Sequence, residues 1–127
     1  MELLAQYEFW LNAAKEDLQT SFDMLIIKRY NWALFVGHLA IDKLLKAKFI
    51  LKFEVQPPKT HNLLLLIDKL EIMLDNDTKL LLMTINKFNI EARYEEYKRD
   101  FEKICTPDYT INYLNKIKEF FKWMTNY

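Results

Sequence analysis

Glycine, proline and cysteine are scarce in this sequence. Its 127 residues include one Gly, three Pro and one Cys. So few turn-forming residues argue against β-hairpins and against a glycine-rich phosphate loop. The single Cys105 excludes an intrachain disulfide and a cysteine-rich zinc site, and is typical of a reducing compartment. We therefore predict a cytoplasmic protein built from helices.

Long apolar runs and an excess of either charge are also missing. The longest apolar run, residues 63–67, is too short to cross a bilayer, and the N-terminus lacks the basic start and apolar stretch of a secretory signal. Lys plus Arg and Asp plus Glu both total 18. This balance excludes a global basic surface for nucleic acid, although a local basic patch stays possible. Arginine recognises phosphate best, and there are three: Arg29, Arg93 and Arg99.

Helical spacing of apolar residues runs through most of the chain. It predicts long helices over residues 3–27 and about 30–53, the second carrying two apolar stripes that place it at the bundle centre. Pro57 and Pro58 end that helix. Shorter helices are predicted over 63–74, with Thr60 as cap, and over 78–88, after a capping turn at 75–77.

The C-terminal part begins with an ambiguous stretch. Residues 89–104 combine helical spacing with many charges, and we expect them to be partly irregular. Thr106-Pro107-Asp108 is a strong start for the last helix, because it joins a capping hydroxyl, a proline at the first position and a carboxylate. The sequence predicts one all-α domain over residues 1–127, an up-and-down bundle of about five helices.

His38, Asp42 and Lys46 follow one another at intervals of four residues on the predicted second helix. They can therefore stack along one face. A carboxylate behind an oriented imidazole would suit acid–base chemistry. A partly buried histidine satisfied by its neighbour explains the same spacing.

His61 follows Lys59 at the predicted start of a helix. Free backbone N–H groups there could receive an anion, helped by the Lys59 charge. An ordinary helix start with a solvated lysine is the alternative.

Arg93 and Tyr94 pair a planar cation with a ring. Together they could stack on a base and hold a phosphate, or they could stack on each other across the bundle.

Complete catalytic or metal-binding motifs are absent from the sequence. The two histidines and Cys105 are too scattered for a metal-ligand pattern, and no Walker loop or activated Ser or Cys nucleophile is evident. We expect no metal and no cofactor. The three tryptophans, Trp10, Trp32 and Trp123, are expected to fill the core, and an exposed one would mark an interface.

Three segments together resemble the HEPN family of small prokaryotic helical proteins: WALFVGHLAIDKLLKA at 32–47, PPKTHNLLLL at 57–66 and FNIEARY at 88–94. With the first and last helices, the resemblance covers nearly the whole chain. It implies a bundle of about five helices, usually a homodimer, often paired with a minimal nucleotidyltransferase in a toxin–antitoxin-like system. It also implies binding of a nucleotide or RNA.

Many HEPN proteins are metal-independent ribonucleases that use Arg followed four to six residues later by His. This chain has no such pair, since Arg29 precedes His38 by nine residues and no histidine follows Arg93 or Arg99. Related proteins often continue Ala-Arg-Tyr with Pro, where this chain has Glu95. The resemblance therefore favours binding over catalysis, with candidate nucleotide or RNA contacts at His38, Lys43, Lys59, His61, Arg93 and Tyr94.

Three functions remain open at this point. The first is a homodimeric module that binds a nucleotide or RNA and docks a nucleotidyltransferase. The second is a ribonuclease with a non-standard motif, in which His38 or His61 is the base and Arg93 stabilises the transition state. The third is a helical scaffold without a ligand.

Overall fold

The computed structural model describes residues 2–127, and that part of the chain contains helices and no strands. The all-α prediction is confirmed, with six helices rather than about five. They are α1 (Leu3–Ile26), α2 (Tyr30–Phe53), α3 (Leu63–Lys69), α4 (Asn76–Glu91), α5 (Glu95–Ile104) and α6 (Pro107–Thr125). None of these helices has the length and apolar character needed to cross a bilayer.

The first two helices form a long antiparallel hairpin. A short turn joins them, in which Lys28 adopts a positive φ of 65° and Arg29 N–H donates to the Met24 carbonyl. Helix α1 buries only Ala14 and Ser21, whereas α2 buries fourteen residues and contacts each of the other five helices. The predicted central position of α2 is confirmed.

Gly37 lies where α2 crosses α6. A Cβ added at this position would come within 2.8 Å of Ile117 Cδ1 and 3.3 Å of Leu114 Cδ2. The sequence's single glycine therefore allows the close approach of these two helices, and its backbone φ is not positive.

Helix α3 is shorter than predicted and has a different cap. Asn62, not Thr60, caps it, because the Asn62 side chain accepts from the N–H groups of Leu64 and Leu65. Thr60 Oγ1 instead accepts from Asn62 N–H at 3.1 Å. The helix ends at Lys69. Two residues later, Glu71 adopts a left-handed φ of 58°, and the chain turns towards α4.

Helix α4 extends beyond the predicted 78–88. Asp75 caps it by accepting from Thr78 N–H at 2.7 Å, as the capping turn predicted. The expected partly irregular stretch over 89–104 is confined to a turn at residues 92–94, since α4 continues to Glu91 and α5 begins at Glu95. Burial of Phe88 and Phe101, whose rings lie 5.5 Å apart, orders this charged region. Tertiary packing thus outweighs the high local charge.

The predicted start of α6 is confirmed. Thr106 Oγ1 accepts from Tyr109 N–H at 3.2 Å, and Pro107 occupies the first helical position. The buried stripe of α6 then packs on α2 and includes Leu114, Ile117, Phe120, Phe121 and Met124.

The expectation of three core tryptophans is wrong. Trp10 and Trp32 are only partly buried, and Trp123 is 44% exposed. The largest fully buried side chains are instead phenylalanines, leucines and isoleucines, which carry no N–H group that would need a partner.

Candidate functional site

The two histidines meet although 23 residues separate them in sequence. His38, fully buried on α2, donates from Nε2 to the His61 backbone carbonyl at 2.9 Å. This bond fixes the His38 tautomer, because a carbonyl oxygen can only accept. It also attaches the connection between α2 and α3 to the central helix.

Asp42 lies behind the other histidine, not behind His38 as its spacing suggested. Asp42 Oδ2 accepts from His61 Nδ1 at 3.3 Å and from Lys46 Nζ at 3.0 Å. Asp42 is 1% exposed, while the His61 side chain is 56% exposed. A buried carboxylate therefore orients a surface imidazole and leaves its Nε2 for solvent or a ligand.

We call His38, Asp42, Lys46 and His61 the histidine cluster. Lys46 is 5% exposed, and its ammonium is compensated by Asp42 and lies 5.6 Å from the centre of the Trp10 ring. Burial lowers the pKa of His38 below its usual 6.5, although the hydrogen bond to the His61 carbonyl and the Asp42 charge oppose this shift. His38 is thus neutral at pH 7.

Two atoms of the histidine cluster are incompletely satisfied. His38 Nδ1 and Asp42 Oδ1 are buried without a hydrogen-bond partner anywhere in residues 2–127. Buried polar atoms are nearly always paired in native proteins, and the same exception occurs at Thr110 Oγ1 on α6, outside the histidine cluster.

The two candidate lysines lie outside the histidine cluster. Lys43 pairs with Asp17 of α1 at 2.7 Å, on another side of α2 from His38. Lys59 is exposed and has no ion-pair partner within the described residues. Lys43 is therefore occupied by a neighbour, whereas Lys59 is available two residues before His61.

Arg93 and Tyr94 lie in the turn between α4 and α5. Arg93 Nε donates to the Asn89 carbonyl at 2.8 Å, and its guanidinium lies 5.4 Å from the Phe35 ring centre and 5.5 Å from that of Tyr94. Both residues are exposed, Tyr94 by 49%. The predicted cation–ring pair is present, and it also contacts α2.

Two helices connect Arg93 to the histidine cluster. On α2, Phe35 beneath Arg93 precedes His38 by three residues. On α4, Asn86 donates to the Asn62 side chain at 2.9 Å, and Asn89, three residues later, holds Arg93. Arg93 and His61 therefore lie on one side of the bundle, linked through Phe35 and His38 of α2.

The arrangement lacks the ligands for metal chemistry and an activated thiol. No group of three His, Cys, Asp or Glu residues suited to a metal occurs in the described part of the chain. Burial, followed by the charges of Glu91 and Glu102, raises the pKa of Cys105 to about 12. Its thiol is therefore protonated and inert at neutral pH.

Some site residues were not identified from the sequence. Lys98 lies over the Trp32 ring at 5.1 Å, and Trp32 contacts Phe35 edge to face at 5.8 Å. Trp32 and Phe35 were hidden within the apolar pattern of α2, and Lys98 within a charged stretch. One feature of the sequence could have identified the two rings. They lie near the start of the predicted central helix, where the ends of neighbouring helices come close.

A concave surface lies away from these residues, between α4 and α6. This groove has a volume of about 620 Å³ and is lined in part by Met73, Leu81, Lys116 and Trp123. None of the six candidate residues lines it.

Comparison with known proteins identifies the family. A family model described as the HEPN domain matches residues 7–127. The crystal structure of TT1696 from Thermus thermophilus has a similar fold, with a TM-score of 0.82, 19% identity, and coverage of 95% of this chain and 97% of that one. At this identity the likeness shows the fold alone, and no curated protein matches. Because the family model spans nearly the whole sequence, the chain belongs to the HEPN domain family.

Proposed function

We propose that this chain is a nucleotide- or RNA-binding HEPN module. The HEPN assignment supports a nucleotide- or RNA-related role. The observation that carries the proposal is the exposed His61 ring, held by buried Asp42 on the side of the bundle where Arg93 and Tyr94 are also exposed. Donors and rings on one surface suit a ligand that presents both phosphates and bases.

Each candidate residue has a distinct role in this proposal. Lys59 and His61 contact phosphate at one end of the site, and Arg93 with Tyr94 contacts a base or the next phosphate. His38 is fully buried, so it acts by positioning the His61 backbone. Lys43 is held by Asp17 and acts through the packing of α1 on α2.

Binding can be tested with a fluorescently labelled short RNA and with ATP as a mononucleotide. We expect His61→Ala and Arg93→Ala each to weaken RNA binding about tenfold, because each removes a charge-assisted hydrogen bond. Arg99→Ala is the matched control, since it removes an exposed guanidinium that is not one of the six candidate residues. No binding by the wild type, or equal losses in all three variants, would contradict the proposal.

We also propose a homodimer, which docks a nucleotidyltransferase partner in a toxin–antitoxin-like pair. HEPN domains commonly dimerise. Exposed apolar residues support an interface where the start of α1 meets the end of α2: Leu4 is 64% exposed, Phe9 59%, Leu51 57% and Val55 54%. These helix ends adjoin, because Gln56 Nε2 donates to Gln6 Oε1 at 2.8 Å. Clustered apolar exposure is typical of stable interfaces.

The dimer can be tested by light scattering coupled to gel filtration. Phe9→Glu and Leu51→Glu should convert a dimer to a monomer, whereas Met83→Glu, at an exposed apolar residue on α4, should not. A wild-type monomer would exclude the homodimer. The nucleotidyltransferase partner requires a separate co-purification with the product of a neighbouring gene, and its absence would remove that part of the proposal.

A ribonuclease activity is the second candidate, and the Asp42–His61 pair favours it. A carboxylate that holds Nδ1 of a surface histidine orients Nε2 as a general base towards a ribose hydroxyl. The test is cleavage of RNA in EDTA by purified protein, with His61→Ala and Asp42→Asn as inactive variants. If RNA binds without cleavage, the module is a binding protein, and if neither occurs, it is a scaffold.

A further inference from the structure

Five side chains from three parts of the chain form an unbroken series of ring–cation contacts. Lys98 lies 5.1 Å from the Trp32 ring centre, Trp32 contacts Phe35 at 5.8 Å, and Arg93 lies 5.4 Å from Phe35 and 5.5 Å from Tyr94. We call this series the ring–cation array. It joins the start of α2, the α4–α5 turn and the middle of α5 on one surface.

The array is exposed at its Arg93–Tyr94 end and partly buried in the rest. Trp32 and Phe35 are partly buried, whereas Arg93 is exposed and Tyr94 is 49% exposed. Arg93 is oriented through Nε by the Asn89 carbonyl, and its two terminal nitrogens have no hydrogen-bond partner among residues 2–127. A planar cation thus lies beside an accessible ring with its donors free, which suits stacking and hydrogen bonding to a base edge.

The charge around the array argues against a site that binds phosphates alone. Residues 93–100 contain Arg93, Lys98 and Arg99, and the same number of acids, Glu95, Glu96 and Asp100. A locally neutral surface neutralises few phosphates, so counterion release contributes little. Ring and guanidinium faces are therefore the main source of affinity that this surface offers.

We propose that the ring–cation array stacks unpaired bases of single-stranded RNA. The inference rests on the proposed RNA-binding function and specifies its substrate class. Bases in a duplex are stacked on each other, and only unpaired bases offer a free face to Tyr94 and Arg93. The array and His61 are linked along α2, because Phe35 contacts Arg93 and His38, three residues later, donates to the His61 carbonyl. One strand can therefore place a base on the array and a phosphate at Lys59 and His61.

The test compares three labelled RNAs of equal length: a single-stranded oligoadenylate, the same strand annealed to its complement, and an abasic strand. We expect the oligoadenylate to bind about tenfold or more tightly than either of the others, because a stacked base contributes about a five- to hundredfold affinity. Raising the salt concentration should weaken binding only modestly, as for one or two phosphate contacts.

Two tyrosines of similar exposure provide matched variants. Tyr94→Ala should weaken oligoadenylate binding at least about fivefold and leave abasic binding unchanged, while Tyr94→Phe should retain it. Tyr97→Ala is the control, since Tyr97 is 52% exposed and lies outside the array. Circular dichroism checks that each variant is folded.

The outcomes separate this inference from the proposed function. In one outcome, oligoadenylate, duplex and abasic strand bind equally, and binding is unaffected by Tyr94→Ala but weakened by His61→Ala. This result would overturn base stacking on the array and leave the proposed RNA-binding function in place. No binding of any RNA would overturn both.

Discussion

The histidine cluster and the ring–cation array contain similar groups in opposite surroundings. In the cluster, His38, Asp42 and Lys46 are buried and bonded to one another or to His61. In the array, Arg93 and Tyr94 are exposed, and the guanidinium keeps free donors. The comparison shows that burial, more than residue type, separates groups that hold the fold from groups that a ligand can reach.

The largest effect that would test this comparison is expected from Asp42→Ala. The substitution leaves the Lys46 ammonium buried without its partner, which typically costs about 3 kcal/mol or more. We therefore expect the free energy of unfolding, measured by urea denaturation, to fall by about 3 kcal/mol. A loss below about 1 kcal/mol, as for an exposed ion pair, would contradict the buried placement of this pair.

A double variant separates the charge effect from packing. Asp42→Leu combined with Lys46→Met removes both charges and keeps apolar volume, so it should restore much of the stability that Asp42→Ala loses. The His61 side chain loses its carboxylate partner in both variants. If the double variant is as unstable as the single one, then the His61 contact or the packing, and not the unpaired lysine, dominates.

A smaller effect is expected from pH. Burial lowers the pKa of His38 in the folded protein, while in the unfolded chain the pKa stays near 6.5. Below pH 6.5 the unfolded state therefore takes up a proton that the folded state does not, and stability decreases as the pH falls towards the folded-state value. His38→Gln, which keeps a donor but does not titrate, should reduce this slope in denaturation curves between pH 7 and about 5.

A variant of the ring–cation array is the control for the pH dependence of the free energy of unfolding. Arg93→Ala changes a charge in the array without changing any histidine, so its pH slope should match that of the wild type. Equal slopes for the wild type and His38→Gln would show that His38 does not carry the pH dependence.

The smallest change in stability is expected in the array itself. Arg93→Ala and Tyr94→Ala should each lower the free energy of unfolding by less than about 0.5 kcal/mol, because both side chains are exposed. Their effect should appear in RNA affinity instead. A loss of about 2 kcal/mol in thermal or urea unfolding would show that the array is a structural support, and the comparison would fail.

Local signals in the sequence predicted much of the fold. Thr106 and Asp75 cap their helices as expected, because a capping side chain bonds to backbone only three residues away. The choice of Asn62 over Thr60 could not be predicted in the same way, since Asn62 is also held by Asn86, 24 residues later. Likewise, the order of residues 89–104 depends on Phe101 meeting Phe88.

The candidate site shows the same division between local and distant contacts. The spacing of His38, Asp42 and Lys46 correctly predicted one helical face, and the Asp42–Lys46 bond joins residues four apart. Asp42 orients His61 rather than His38. This depends on the path of the α2–α3 connection after Pro57 and Pro58, which the helical spacing of residues does not predict. Trp32 was predicted to be a core residue because the apolar pattern of α2 does not show its contact with Lys98 of α5. Its other ring contact, Phe35, lies on α2 itself.

The most direct test of the account is an NMR titration of ¹⁵N-labelled protein with a single-stranded oligoadenylate. The three tryptophans give three separable indole N–H signals, from Trp10, Trp32 and Trp123. We expect the Trp32 indole and the Arg93 and Tyr94 amides to shift, together with the amide of His61, while the Trp123 indole at the α4–α6 groove stays unchanged. Shifts confined to Trp123 and its neighbours, or no shifts at all, would contradict the proposed site.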